Sequence, residues 1–170
     1  GIDVLEDDVG RTQSSPEKKA EILNNFFSSV FVDDNLNEIP EPRQQQYTEA
    51  MTDVTISAAE VEAKLRSLNA TGAPGPDGLH PRVLMELSPC VASPLSSIFT
   101  KSLELSELPE SWRRATVIPV HKKGSRHLAN NYRPISLTAI PCKIMESIIR
   151  DKIMQHLSSN QLLSPHQHGF

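Results

Sequence analysis

Apolar residues return at helical spacing in four stretches of this chain. After Ser15 and Pro16, a pair suited to opening a helix, Ile22, Leu23, Phe26, Phe27, Val30 and Phe31 fall on two seams four residues apart. Ser57 and Glu60 match a capping box, and Val61, Leu65 and Leu68 follow at i, i+4 and i+7 before Gly72, which predicts a short helix. A brief helix is expected over Pro81 to Leu87. Another, opened by Ser93 and Pro94, aligns Leu95, Ile98, Phe99 and Leu103. From Pro141 onward, Ile144, Met145, Ile148, Ile149, Ile153 and Leu157 predict the longest helix, which stops at the polar run SSNQ.

The intervening segments lack that period. Residues 1 to 13 are mostly acidic and read as a linker or frayed end. VDDNLNEIPEPRQQQYTEAMTD is rich in Pro, Gln and acid and reads as a connector. ATGAPGPDGLHP holds three glycines and three prolines in twelve residues, which predicts a rigid, shaped loop. RRATVIPVHKKG is β-rich at Val117, Ile118 and Val120, so it reads as one strand of a hairpin, with YRPISL returning and KKGSRHLANN as the basic tip. The expected division is an acidic linker over 1–14, a helix and connector over 15–56, and a folded region over 57–170. The fold class is α+β, mostly helical around a small antiparallel hairpin.

Composition narrows the picture. Hydrophobic residues make up 38% and aromatics 5% of the 170 residues, which suits a piece of a larger core better than a self-sufficient one. No apolar run is long enough for a membrane span, and the acidic start differs from a secretory signal, so an intracellular protein is expected, in cytoplasm or nucleus. Cys90 and Cys142 stand far apart, which argues against a disulfide framework or a thiolate zinc site. The net charge of −4 hides an asymmetry. Residues 1–60 hold four Lys/Arg against thirteen Asp/Glu, and residues 61–170 hold thirteen against eight. From Trp112 to Arg133 there are six basic residues and no acidic one, a run able to attract phosphates.

Four phrases in order, APGPDGLHPRVL, LPESWRRATVIPVHKKG, NNYRPISLTAIPCKIMESIIRDKI and SPHQHGF, resemble the reverse transcriptases of non-LTR retrotransposons, most closely the jockey-like and CR1-like elements. AEILNNFFSSVF resembles the segment that joins their endonuclease to the polymerase, so the likeness runs from about Ala20 to Phe170. It implies the fingers of a right-hand polymerase, whose partners are an RNA template, a DNA primer and a deoxynucleoside triphosphate.

A polymerase must hold a triphosphate and stabilise the charge that develops on pyrophosphate, and cations on a hairpin suit that task. The resemblance implies that Lys122 or Lys123, together with Arg133, closes on those phosphates. Arg133 offers a planar fork for bidentate contact, and the sequence leaves the two lysines unseparated. It also implies template contacts from Gly75, Pro76, Asp77, Gly78, Arg126, Gln167 and Gly169. A purely structural loop that caps the following helix competes at Gly75 to Gly78, and a solvated hairpin tip competes at the lysines. Trp112 reads as a core anchor rather than a base-stacking residue. His166 and His168 lack a third ligand at suitable spacing and are not expected to hold a metal.

The family needs an early Asp and an Asp-Asp hairpin to hold two magnesium ions. Asp7-Asp8 and Asp33-Asp34 lie upstream, outside any such setting. The chain is therefore expected to be a fragment, opened upstream of Gly1 and cut before the catalytic palm, lacking palm, thumb and endonuclease, with no cofactor of its own and Mg2+ required only by the full polymerase. A non-catalytic nucleic-acid-binding remnant of a mobile element is the alternative. A decayed remnant that need not fold is disfavoured by the intact capping signals.

Overall fold

The computed structural model describes residues 1–32, 50–51 and 54–163. The chain is α+β and about half helical. In order it forms β1 (Leu5–Glu6), β2 (Thr12–Gln13), α1 (Pro16–Ser29), α2 (Ala58–Arg66), α3 (Pro81–Glu86), α4 (Ser88–Leu105), β3 (Ala115–His121), β4 (Tyr132–Thr138) and α5 (Ile140–Ser159). Two compact units divide it: Gly1–Gln45 with Val117–Ser136, and Gln46–Thr116 with Leu137–Phe170.

The second unit is helical, and its core lies where α2 meets α4 and α5. Val61 and Leu65, spaced by one turn, are fully buried with Phe99 of α4 and with Ile140, Ile144, Met145 and Ile148 of α5. Ser57 starts α2 as its sequence requires. The Ser57 side chain accepts from the Glu60 amide, and the Glu60 carboxylate accepts from the Ser57 amide at 2.8 Å. The same carboxylate accepts from Lys152 Nζ at 2.7 Å, and Lys64 pairs with Asp151, so two ion pairs fasten α2 to α5. Trp112 packs edge-on against Phe99 with ring centroids 5.7 Å apart, the core-anchor role read from the sequence.

Helix α4 begins five residues before the Ser93-Pro94 start expected from the sequence and carries Pro94 inside it. Pro89 occupies the first turn, where a missing N–H costs nothing. Burial of Ala92 and Phe99 outweighs the single backbone hydrogen bond that Pro94 removes. Helix α2 closes at Ser67, before Gly72, and in its last turn the Ser67 amide is shared between the Ala63 and Lys64 carbonyls. In α5 the buried face ends at Ile148, and Ile153 and Met154 stand exposed.

The first unit holds a smaller cluster of Leu5, Leu23 and Tyr132, flanked by Ile2, Ile22 and Phe27. Residues 1–13 are not a frayed end. Strands β1 and β2 pair antiparallel, Leu5 opposite Gln13 and Glu6 opposite Thr12, and Leu5 is fully buried. Asp7 builds the turn: Oδ1 accepts from the Arg11 amide at 2.8 Å and the Val9 amide at 3.2 Å, and Oδ2 accepts from Gln13 Nε2 at 2.8 Å. The Arg11 amide, then Gln13, hold this carboxyl below its ordinary range. Of the two seams expected on α1, only Leu23 is buried, while Val30 and Phe31 lie past the helix end and are exposed. Most of the expected connector lies outside the described residues.

Candidate functional site

Strands β3 and β4 hydrogen-bond to each other as the expected hairpin. The ladder reaches the tip through the Lys122 amide, which donates to the Asn131 carbonyl at 2.7 Å. His121 and Tyr132 meet on one face, with ring centroids 5.4 Å apart. Arg133 follows Tyr132 in β4, and Lys122 is the first residue past the end of β3. Lys123 stands past the end of the ladder, in the bend.

Lys122, Lys123, Arg126 and Arg133 are all exposed, and among the described residues none has a carboxylate within ion-pair distance. Arg114, in the same basic run, differs: it pairs with Glu110 at 2.8 Å. Among the described residues nothing pairs with the positive charge at the tip, an arrangement that draws polyanions from solution.

The tip is a shaped loop. Gly124 takes φ +78°, open to glycine at little cost, and a Cβ there would lie 2.8 Å from Asn131 Nδ2. Asn131 Nδ2 donates to the Ser125 carbonyl at 2.8 Å, and the Tyr132 hydroxyl donates to the Arg126 carbonyl at 2.7 Å. His121 Nε2 lies 3.1 Å from the Gly124 carbonyl oxygen, which only accepts, so this nitrogen carries the proton. Sequence reasoning missed His121, Asn131 and Tyr132, since their role comes from contacts across the loop.

The Gly75–Gly78 loop belongs to the helical unit. A Cβ on Gly75 would fall 2.5 Å from the Thr138 carbonyl oxygen and 2.8 Å from Ala139 Cα, so this residue lies flat against the junction of β4 and α5. Gly78 has φ +70°, and the Asp77 Oδ1 accepts from the Leu79 amide at 3.2 Å. The other oxygen of Asp77 is buried without a hydrogen-bond partner among the described residues. Gly75 thus has a packing duty sufficient to explain it, and Pro76 and Gly78 are the exposed members of the loop. Gln167, Gly169, His166 and His168 lie outside the described residues.

Among the described residues no three His, Cys, Asp or Glu side chains converge on one point, and the Asp7 carboxylate is taken up by its turn. No described helix is long and apolar enough to cross a membrane. Both cysteines are free, Cys90 exposed and Cys142 buried.

No family model matches the chain. Among curated proteins it is 28% identical over 116 residues to a probable RNA-directed DNA polymerase from transposon BS of Drosophila melanogaster. It is 29% identical over 116 residues to the RNA-directed DNA polymerase from mobile element jockey of the same organism. Each alignment covers 68% of this chain and 13% of the relative, so the chain spans only a small part of the proteins it matches. A third, the transposon TX1 uncharacterized 149 kDa protein of Xenopus laevis, is 24% identical over 167 residues, 93% of this chain.

Proposed function

From this likeness to RNA-directed DNA polymerases of non-LTR transposons, we propose that the chain is the fingers part of such a polymerase, gripping the incoming nucleotide and the template while the rest of the parent enzyme performs the chemistry. The observation that carries this reading is the hairpin tip, where Lys122, Lys123 and Arg133 lie in the phrases that resemble the family's nucleotide-binding strand and RPIS segment, Arg126 lies between them, and among the described residues no carboxylate pairs with any of the four.

In this reading Arg133 takes the phosphates bidentately, with Lys122 or Lys123 as its partner. Arg126 and the Pro76–Gly78 loop contact template, as do Gln167 and Gly169. The metal-holding carboxylates of polymerisation belong to the remainder of the parent, so this chain alone extends no primer. Template RNA, primer DNA and deoxynucleoside triphosphate are the partners of the whole enzyme.

The test is binding of a deoxynucleoside triphosphate and of a single-stranded RNA to the purified chain. Replacing Lys122, Lys123 and Arg133 by alanine is expected to reduce both by about tenfold or more at low salt. Binding that survives the triple substitution unchanged sinks the assignment.

A further inference from the structure

Four consecutive carbonyls at the hairpin tip are held by donors from elsewhere in the same unit. Gly124 is engaged by His121 Nε2, Ser125 by Asn131 Nδ2, Arg126 by the Tyr132 hydroxyl, and His127 by the Glu6 amide at 2.8 Å. In a trans peptide the C=O of one residue and the N–H of the next point in opposite directions. Pinning the Gly124 and Ser125 carbonyls toward the strands therefore turns the Ser125 and Arg126 amides away from them, toward solvent. Neither amide has a partner among the described residues, and both residues are exposed. The His127 amide differs, since it donates to Ser125 Oγ at 3.2 Å.

We propose that these two amides, in a loop that also carries the exposed Lys122, Lys123 and Arg126, form a main-chain receptor for a phosphate oxyanion, with His121, Asn131 and Tyr132 as the residues that position it. Successive outward amides beside cations are a recurrent way to bind phosphate. The proposal rests on the fingers reading for its ligand and adds to it a role for the backbone. Long side chains supply attraction from many geometries, whereas clasped amides supply direction. The phosphate belongs either to a nucleoside triphosphate or to a nucleic-acid backbone.

The experiment is amide NMR of the 15N-labelled chain, titrated separately with inorganic tripolyphosphate and with a single-stranded RNA oligonucleotide. The Ser125 and Arg126 amides are expected to shift with the bound ligand. Movement with tripolyphosphate alone assigns the receptor to the nucleotide, and movement with RNA assigns it to the backbone. Tyr132→Phe keeps the buried ring and removes only the hydroxyl. It is expected to weaken binding about fivefold, the effect of losing one positioning hydrogen bond, and to leave the salt dependence unchanged because no charge is lost. Binding that depends on Lys122, Lys123 and Arg133 while the two amides stay still and Tyr132→Phe binds like wild type overturns the receptor and leaves the fingers reading standing. If neither tripolyphosphate nor RNA binds, both are overturned.

Discussion

Glu60 performs two tasks with one carboxylate, and its removal is measurable as a pH-dependent loss of stability. Oε2 accepts from the Ser57 amide at 2.8 Å and from Ser57 Oγ at 2.7 Å, while Oε1 accepts from Lys152 Nζ at 2.7 Å. The Lys152 ammonium first, then the Ser57 amide and hydroxyl, push its carboxyl down to about 2. Taken at face value that displacement is worth about 3 kcal/mol. The Glu60 side chain is 41% exposed, however, and solvent screens such pairs, which lowers the figure to about 1 kcal/mol.

Glu60→Gln is therefore expected to lower the melting temperature by about 3 °C at pH 7. The folded-state pKa is depressed, so the contribution is fully present above the unfolded value near 4.5 and disappears as pH falls through about 2. Thermal unfolding of wild type and variant, compared at each pH, isolates Glu60 from the other carboxylates that titrate in that window. Equal stability at pH 7, or a gap that persists undiminished at pH 2, refutes the reasoning.

Two further outcomes follow from the helical unit. Gly75→Ala forces a methyl into the Thr138 and Ala139 backbone and should cost about 2–3 kcal/mol by denaturant unfolding, more than a loop glycine in open space would. Burial, then the neighbouring Glu146 charge, pushes the Cys142 thiol up to about 11. A thiol reagent at pH 8 should modify Cys90 alone in the native chain and both cysteines after denaturation.

Much of this arrangement is legible in the sequence where local chemistry decides it. The Ser57 and Glu60 box, Pro16 at the start of α1, and the apolar spacing of α5 each specify an element without help from distant residues. The first strand of the basic hairpin was readable from Val117, Ile118 and Val120. Failures came where contacts distant in the chain decide the outcome. Pro94 looked like a helix start because proline favours that position, yet Pro89 had already opened α4 and core burial carries the helix through. Two-residue strands carry no hydrophobic period, so β1 and β2 left only Asp7 and Gly10 as turn signals. The charges at the tip were visible in the sequence, whereas the clasp of His121, Asn131 and Tyr132 that shapes their loop required the fold.

The central claim is that the hairpin tip grips phosphates, and the most direct measurement is the affinity of the chain for single-stranded RNA across a salt series. Affinity is expected to fall linearly on a log-log plot, and neutralising Lys122, Lys123 and Arg133 to reduce the slope by about 2, near 0.7 for each phosphate left without its cation. An affinity without salt dependence, or a slope the triple variant leaves unchanged, contradicts it.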